Sequence, residues 1–295
     1  MTRLPNETSI GFVHLRVSNL QRAAAFYHDV IGLAEIRRTA ATAMMSSRGT
    51  PPAQLLLTED PSAHPRNPFS PGLFHVAWKV GDRASLAAMI RHLAAAGVRL
   101  QGFADHGVSE AVYLADPEGN GIEVYRDRPK EEWPMSDGRI AMMTDPLDLD
   151  GLLKEPGESG AEFLDPRMSI GHVHLQVSDL GRARTFYHDM LGFDVTQDSY
   201  PGALFVSAGG YHHHIGLNTW NSLGRVRPNT AATGLVSYGI VLPDAEALAA
   251  LRTRLEEQGM LTAPSPDGSF SLRDSDDLHI KLLHPAVVSS NTITV

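Results

Sequence analysis

The chain has 295 residues, of which 42% are hydrophobic, and its formal net charge is −9 at pH 7. This length suits two domains of ordinary size. The acidic balance and the lack of a basic stripe argue against nucleic acid as a partner. No apolar run approaches the roughly 18 residues of a membrane span and no leader pattern opens the chain, so we expect a cytoplasmic protein without membrane association. Because the chain has no cysteine, any metal must be held by histidine or carboxylate side chains.

The first predicted elements recur later in the chain. Residues 10–36 read IGFVHLRVSNLQRAAAFYHDVIGLAEI, and residues 170–196 read IGHVHLQVSDLGRARTFYHDMLGFDVT, with 15 of 27 positions identical. In each copy an alternating apolar stretch predicts a strand, and apolar residues at helical spacing before a glycine predict a helix. Three short strands follow, the last one in the first copy being residues 53–58. We therefore predict a βαβββ module over residues 10–59.

A weaker copy of this template forms the second predicted module, residues 72–127. It begins with GLFHVAWKV, has a predicted helix over residues 83–95 and ends in VYLADPEGNGIEVY. Residues 128–168 contain several proline, glycine and acidic residues, which predicts a linker. The apolar patch at residues 147–153 predicts a short helix docked within this linker.

The third predicted module, residues 170–220, contains the second strong copy of the repeat. Its later strands are predicted at turn-bounded segments, namely residues 193–197, 203–208 and 212–218. The fourth module, residues 234–284, begins with GLVSYGIVL, has a helix over residues 244–258 and ends in FSLRDSDDLHIKLL.

These four βαβββ modules predict an α+β protein. We divide the chain into a first domain of two modules (residues 1–127), a linker (residues 128–168) and a second domain of two modules (residues 169–295).

The module starts HVHLQVSDL…FYHDMLGF and the module end ADPEGNGIEVY resemble those of the vicinal-oxygen-chelate superfamily. This superfamily includes the glyoxalase I, bleomycin-resistance and extradiol dioxygenase families. The resemblance covers nearly the whole chain apart from the linker and termini, and it implies that paired modules build two curved sheets, each around a cup that can hold a metal. The segment FVSAGGYHHHIGLNTW is especially similar to two-domain catechol-2,3-dioxygenase-like proteins.

Strand alternation gives an independent test of which side chains face a cup. The even-numbered positions of residues 74–80 are all apolar, so His75 lies on the opposite face of its strand. Glu123 lies between two apolar neighbours, and His172 is followed by apolar residues at every second position. All three side chains are therefore predicted to face a cup.

The same template position carries a different residue in each module. The first-strand position is occupied, from the first module to the fourth, by Phe12, His75, His172 and Ser237. The last-strand carboxylate position holds Glu123 in the second module and Lys281 in the fourth. If modules paired in sequence order, neither cup would hold a full ligand set. We therefore expect modules two and three to pair, and modules one and four to form an empty cup.

Pairing of modules two and three would unite His75, His172 and Glu123 as metal ligands. Two histidines and one carboxylate are the ligand set of non-haem Fe(II) oxygenases. We expect Fe(II), with Mn(II) as the alternative.

The resemblance also implies roles for groups beside the metal. Tyr113, ten residues before Glu123, and His106 on the preceding loop correspond to residues that hydrogen-bond to substrate. The triplet at residues 212–214 covers the position of an acid–base histidine, for which we choose His214, with His212 and His213 left open. His14 and His174 recur in both halves, which favours a structural role.

Three functions are consistent with this sequence. The first is an extradiol ring-cleaving dioxygenase that uses O2 and a small aromatic, catechol-type diol as substrates. The second is a glyoxalase-like metal-dependent lyase or isomerase, and the third is a metal-free binding protein of the bleomycin-resistance type. Exposed sheet edges in such folds also leave homo-oligomer formation open.

Overall fold

The computed structural model describes residues 2–156, 165–227, 231–260 and 263–289. The first half of the chain forms ten elements in the order expected for two βαβββ modules: β1 (Ser9–Val17), α1 (Leu20–Phe26), β2 (Ala34–Arg38), β3 (Thr42–Ser46), β4 (Leu55–Glu59), β5 (Gly72–Lys79), α2 (Arg83–Ala95), β6 (Gly102–Asp105), β7 (Ser109–Ala115) and β8 (Gly121–Asp127).

The repeated helix begins and ends at the residues that the sequence signals. The Asn19 side chain accepts a hydrogen bond from the Arg22 backbone N–H and so caps α1. The helix then widens into a π-helical turn at Tyr27–Ile31 and stops at Gly32, whose φ of +88° favours glycine.

The segment that connects the two halves contains short elements of secondary structure. They are β9 (Met135–Ser136), β10 (Arg139–Ile140) and α3 (Leu149–Leu152), with a 3₁₀ turn at Lys130–Glu132. Helix α3 falls inside the predicted apolar patch, and its Leu152 side chain is fully buried.

The second half repeats the pattern. Its elements are β11 (Ser169–Gln176), α4 (Leu180–Arg184) with a π-helical turn (Thr185–Met190), β12 (Asp194–Gln197), β13 (Ala203–Ser207), β14 (Ile215–Asn218), β15 (Gly234–Val241), α5 (Ala245–Glu257), β16 (Ala263–Pro264), β17 (Phe270–Arg273), β18 (His279–Leu283) and α6 (Pro285–Ser289). No helix among these described residues is both long and apolar enough to cross a membrane.

The strands form two eight-stranded sheets that each combine modules from both halves. One sheet has the order β12-β13-β14-β11-β5-β8-β7-β6, and the other has the order β16-β17-β18-β15-β1-β4-β3-β2. The central antiparallel pairs are therefore β5 with β11 and β1 with β15. The expected α+β fold with two curved-sheet cups is confirmed, and so is the pairing of modules two and three.

The repeated FYHD motif joins the two sheets. The Tyr27 hydroxyl, from the first module, donates a hydrogen bond of 3.0 Å to the buried Asp116 of the second module. Tyr187 of the third module donates one of 2.8 Å to Asp274 of the fourth. Each contact links a module of one sheet to a module of the other, which gives the repeated tyrosine a structural role.

The cup formed by modules one and four is filled with apolar side chains. Phe12 is 1% exposed and packs in a cluster with Met44, Ala53, Leu56, Leu283 and Val287. Its ring lies so close to Gly239, its cross-strand partner, that a Cβ there would come within 2.3 Å of the ring. Where the other cup has His172, this cup therefore has a packed apolar side chain.

Replacing Phe12 with alanine should lower the free energy of unfolding by about 3–5 kcal/mol, the usual cost of removing a buried phenylalanine. Metal affinity should not change, because Phe12 lies in the other sheet. Urea denaturation measures the first effect, with Phe69→Ala as the control because Phe69 is 59% exposed. A Phe12 variant as stable as the Phe69 variant would contradict the packing described above.

Candidate metal centre

Three neighbouring strands place His75, Glu123 and His172 on one face of the sheet. Ala77 of β5 is the register partner of both Glu123 on β8 and His172 on β11. A small residue between them leaves their side chains room to approach each other. Gly121 is the partner of His75 on β8, and a Cβ there would come within 2.1 Å of the Phe74 carbonyl oxygen.

The three side chains converge on a common point. Oε2 of Glu123 lies 3.0 Å from Nε2 of His75 and 3.1 Å from Nε2 of His172. One ligand atom from each residue lies within 4.8 Å of the other two. Ligands at about 2.1 Å in neighbouring positions of an octahedron lie about 3 Å apart, so these distances fit a divalent metal.

Burial favours a neutral His172, and the facing imidazoles favour an ionised Glu123. All three residues are at most 6% exposed. Burial lowers the pKa of His172 to about 4, so its imidazole is neutral at pH 7. Burial alone would raise the pKa of Glu123, but the facing imidazoles of His172 and His75 hold it well below its usual value. The His75 Nε2 atom, although close to Glu123, has no hydrogen bond to another described residue, as expected of a nitrogen that is free to bind a metal.

The cluster lies in the wall of a cavity of about 560 Å³. Most of the remaining wall is apolar and comes from modules two and three and from the linker: Phe74, Phe103, Ile122, Met142, Met143, Tyr200, Phe205 and Trp220. The cavity can therefore accept a largely apolar molecule beside a buried carboxylate and two imidazoles.

Tyr113 and His106 both line this cavity and form a hydrogen-bonded pair. His106 Nδ1 lies 2.7 Å from the Met143 carbonyl oxygen, which can only accept a hydrogen bond, so the proton is on Nδ1. His106 Nε2 then accepts from the Tyr113 hydroxyl at 2.6 Å. Burial, together with the nearby Glu123 carboxylate, raises the pKa of Tyr113 well above its usual value, so the hydroxyl stays protonated.

The structure places His213, and not His214, at the cavity. The ring of His213 lies 4.0 Å from that of His172 between centroids, and burial lowers its pKa well below the usual value. His214 does not line the cavity: its Nδ1 lies 3.2 Å from the Ala208 backbone N–H and 3.0 Å from the Ser207 hydroxyl oxygen.

Our choice of His214, made from the resemblance, stays a prediction, but the chain at the triplet differs from the strand that we predicted. We predicted a strand over residues 212–218, in which alternation puts His214 on the same face as Gly216. The strand β14 begins only at Ile215, because the chain bends over residues 212–214. The Thr196 hydroxyl donates to the His212 carbonyl at 2.7 Å, so that carbonyl is bonded outside the sheet ladder. The His214 backbone, by contrast, still bonds to both neighbouring strands, since its N–H donates to the Val206 carbonyl and its carbonyl accepts from the Val173 N–H.

The sequence analysis did not place His174 or the linker residues Met142 and Met143 in the cavity wall. His174 lines the cavity, with its ring 5.0 Å from that of His75, and its Nε2 has no hydrogen bond to another described residue. His172 and His174 alternate along one strand, which indicates that both face the cup. We assigned His174 a structural role because the equivalent residue, His14, recurs in the other half. The linker residues Met142 and Met143 carried no signal, since their contacts depend on how the linker docks.

Comparison with known proteins agrees with this fold. A family model described as Glyoxalase/Bleomycin resistance protein/Dioxygenase superfamily matches residues 9–124 and 169–273. Over 279 residues, 93% of this chain and 96% of the relative, the sequence is 41% identical to a catechol-2,3-dioxygenase of Bacillus subtilis (strain 168). It is 24% identical to an iron-dependent extradiol dioxygenase of Rhodococcus jostii (strain RHA1) over 190 residues, 63% of this chain and 54% of that protein.

A solved structure shows the same fold at lower sequence identity. It is a Bacillus subtilis protein provisionally named a dioxygenase, with a TM-score of 0.67, 13% identity, and coverage of 96% of this chain and 86% of that one. Since the family model spans well over half of the chain and the first relative covers nearly all of it, this protein belongs to the glyoxalase/bleomycin resistance protein/dioxygenase superfamily.

Proposed function

We propose that the protein is a non-haem, metal-dependent extradiol dioxygenase that cleaves the ring of a catechol-type diol with O2. The observation that carries this proposal is the cluster of His75, His172 and Glu123 in the wall of a largely apolar cavity. The name of the Bacillus subtilis relative supports the reaction class. We propose Fe(II) as the metal because this ligand set is typical of non-haem Fe(II) oxygenases, with Mn(II) as the alternative.

The cluster and its neighbours have separate tasks in this reaction. A divalent metal held by the cluster would bring the diol and O2 together and carry charge between them. The apolar part of the wall would reduce the access of water to the reacting groups. His213, against His172, would take a proton from a substrate hydroxyl and return it later. The Tyr113 hydroxyl, which already donates to His106, can accept a hydrogen bond from the diol. Both atoms of O2 enter the product, so no external reductant is required.

The composition of the wall favours catechols with apolar substituents. Phe103, Ile122, Phe205 and Trp220 offer ring and aliphatic surface and no charge. A charged substituent would lose its hydration against these four side chains, and Arg66 is the cationic residue in the lining.

The glyoxalase-like alternative is disfavoured by one position in the sheet. Such sites usually add a second carboxylate from the partner module. The pseudo-symmetric counterpart of Glu123 is Gly216, which pairs with His174 as Glu123 pairs with Ala77. A Cβ at Gly216 would come within 2.9 Å of the His174 ring, so this position excludes any side chain.

Oxygen uptake tests the proposed activity. Protein loaded anaerobically with Fe(II) should consume O2 with 4-alkylcatechols and with catechol, and it should not do so with resorcinol, whose hydroxyls are not adjacent. No uptake across a panel of substituted catechols would refute the proposal. Turnover of a hemithioacetal with Ni(II) or Zn(II), without O2, would support the lyase alternative instead.

Removing either candidate histidine ligand should abolish stoichiometric metal binding. His75→Ala and His172→Ala each leave two ligands, too few to hold a divalent ion in a buried site. Elemental analysis after metal loading and desalting measures this, with His28→Ala as a control because His28 is exposed. Wild-type metal content in both ligand variants would favour the metal-free binding function.

A further inference from the structure

A line of three side chains leads from the cavity wall towards the protein surface. His213 lines the cavity, and its Nδ1 lies 2.8 Å from Nδ1 of His212, a fully buried residue. Nε2 of His212 lies 2.9 Å from Oδ1 of Asp127, whose side chain is 24% exposed. Because both contacts are short, the direction of the hydrogen bond at Asp127 determines the direction of the hydrogen bond between His212 and His213.

Asp127 is held as a carboxylate. Burial alone would raise its pKa, but the contacts with His212, Lys79 and Tyr211 lower it below the usual value. The Tyr211 hydroxyl donates to both carboxylate oxygens at 3.1 Å, and Lys79 Nζ lies 3.4 Å from Oδ2. Further titratable groups face this network: the Tyr125 hydroxyl is 2.7 Å from that of Tyr211, the His214 ring is 5.0 Å from the Tyr211 ring, and the His172 ring is 4.0 Å from the His213 ring. An ionised carboxylate can only accept hydrogen bonds.

The direction of each hydrogen bond follows from this acceptor. His212 must donate from Nε2 to Asp127, so in the neutral imidazole Nδ1 carries no proton. The short contact between the two Nδ1 atoms then requires the proton to lie on Nδ1 of His213. Nε2 of His213 is left unprotonated, and no described residue forms a hydrogen bond with it. This is the tautomer that an acceptor of a substrate proton requires.

We propose that Asp127 and His212 are positioning residues that hold His213 as the Nδ1–H tautomer, with Nε2 free to accept a proton from a bound diol. The tautomer stands on the hydrogen bonds alone, and only its catalytic consequence rests on the proposed dioxygenase function. His212 and Asp127 do not line the cavity, so they act through His213.

Asp127→Asn should reverse the direction of both hydrogen bonds between residue 127, His212 and His213. In Asp127→Asn the amide can donate to Nε2 of His212, which moves the His212 proton to Nδ1 and the His213 proton to Nε2. With His213 in the wrong tautomer, kcat should fall by about 10²-fold while KM changes little, at the lower end of the contribution of acid–base groups. Asp127→Glu keeps an acceptor and should recover most of this loss. Lys79→Met removes a neighbouring charge but leaves the carboxylate, so it should retain the wild-type tautomer.

The ¹⁵N chemical shifts of the imidazole nitrogens distinguish the two tautomers of each histidine. Protein with ¹⁵N-labelled histidine, loaded with diamagnetic Zn(II), should show a protonated Nδ1 and an unprotonated Nε2 for His213, assigned with a His213→Gln variant. The pattern should reverse in Asp127→Asn. If that variant does not fold, His212→Phe removes the acceptor, keeps a planar ring and should abolish the preference for Nδ1–H.

A protonated Nε2 in wild-type His213, as a His212 imidazolium would produce, would overturn the inference. An unchanged NMR pattern in a folded Asp127→Asn variant would do the same. Failure of the proposed function looks different: the NMR patterns would appear as expected, while the Fe(II)-loaded wild type would turn over no catechol.

Discussion

Glu123→Gln should reduce metal affinity by on the order of 10³-fold or more and remove measurable ring cleavage. Loss of an outer partner of a ligand already costs about 10–100-fold, and here the ligand itself loses its charge. Glutamine keeps the volume of glutamate, but its neutral amide no longer compensates the positive charge of a metal. Because Glu123 faces both His75 and His172, no other carboxylate of the described cluster can replace it.

Titration with Mn(II), followed by electron paramagnetic resonance, measures the affinity without requiring activity. Glu131→Gln is the matched control, since Glu131 is exposed and does not belong to the cluster. The control should bind metal as the wild type does. Stoichiometric binding by Glu123→Gln at wild-type affinity would exclude Glu123 as a ligand.

His213→Gln should lower kcat by about 10²–10⁴-fold, the range of acid–base contributions, and leave metal content unchanged. The side chain lines the cavity and contacts His172 but is not part of the metal cluster. Glutamine at this position can still form hydrogen bonds but cannot accept a proton near neutral pH. The initial rate of oxygen uptake with a saturating catechol measures the loss.

His214→Gln is the matched control for this prediction. It changes the adjacent residue in the same way, but His214 forms hydrogen bonds with Ser207 and Ala208 outside the cavity. We expect kcat within about threefold of the wild type and a loss of stability of about 1–3 kcal/mol, since a buried backbone donor loses its partner. The opposite result, a large loss in His214→Gln and none in His213→Gln, would restore the assignment made from the sequence.

Much of the fold could be predicted because its information is local. Alternation along residues 74–80 comes from the geometry of a single strand, so it assigns His75 to a face without knowledge of its neighbours. The repeated motif, with its asparagine or aspartate cap and terminal glycine, likewise fixes a strand and a helix within about 25 residues. The unequal distribution of candidate ligands then implied which modules pair, because only one pairing collects a complete set.

Which histidine of the triplet lines the cavity could not be predicted, because the contacts that separate the three are not local. Alternation holds only while the chain remains a strand, and at the bend over residues 212–214 His212 forms hydrogen bonds with Thr196 and Asp127, which lie far from it in sequence. A prediction from the triplet alone could only choose among three histidines. The contacts that separate them come from other strands of the folded sheet.

The sequence by itself thus determined the modules, the faces of their strands and the set of candidate ligands, since these follow from covalent geometry and short-range spacing. Only the tertiary structure decided that His213 lines the cavity, that the linker closes part of it through Met142 and Met143, and that Asp127 directs the hydrogen bonds of His212. The physical reason is that these features depend on hydrogen bonds and packing between segments remote in sequence, and such contacts leave no periodic pattern in the chain.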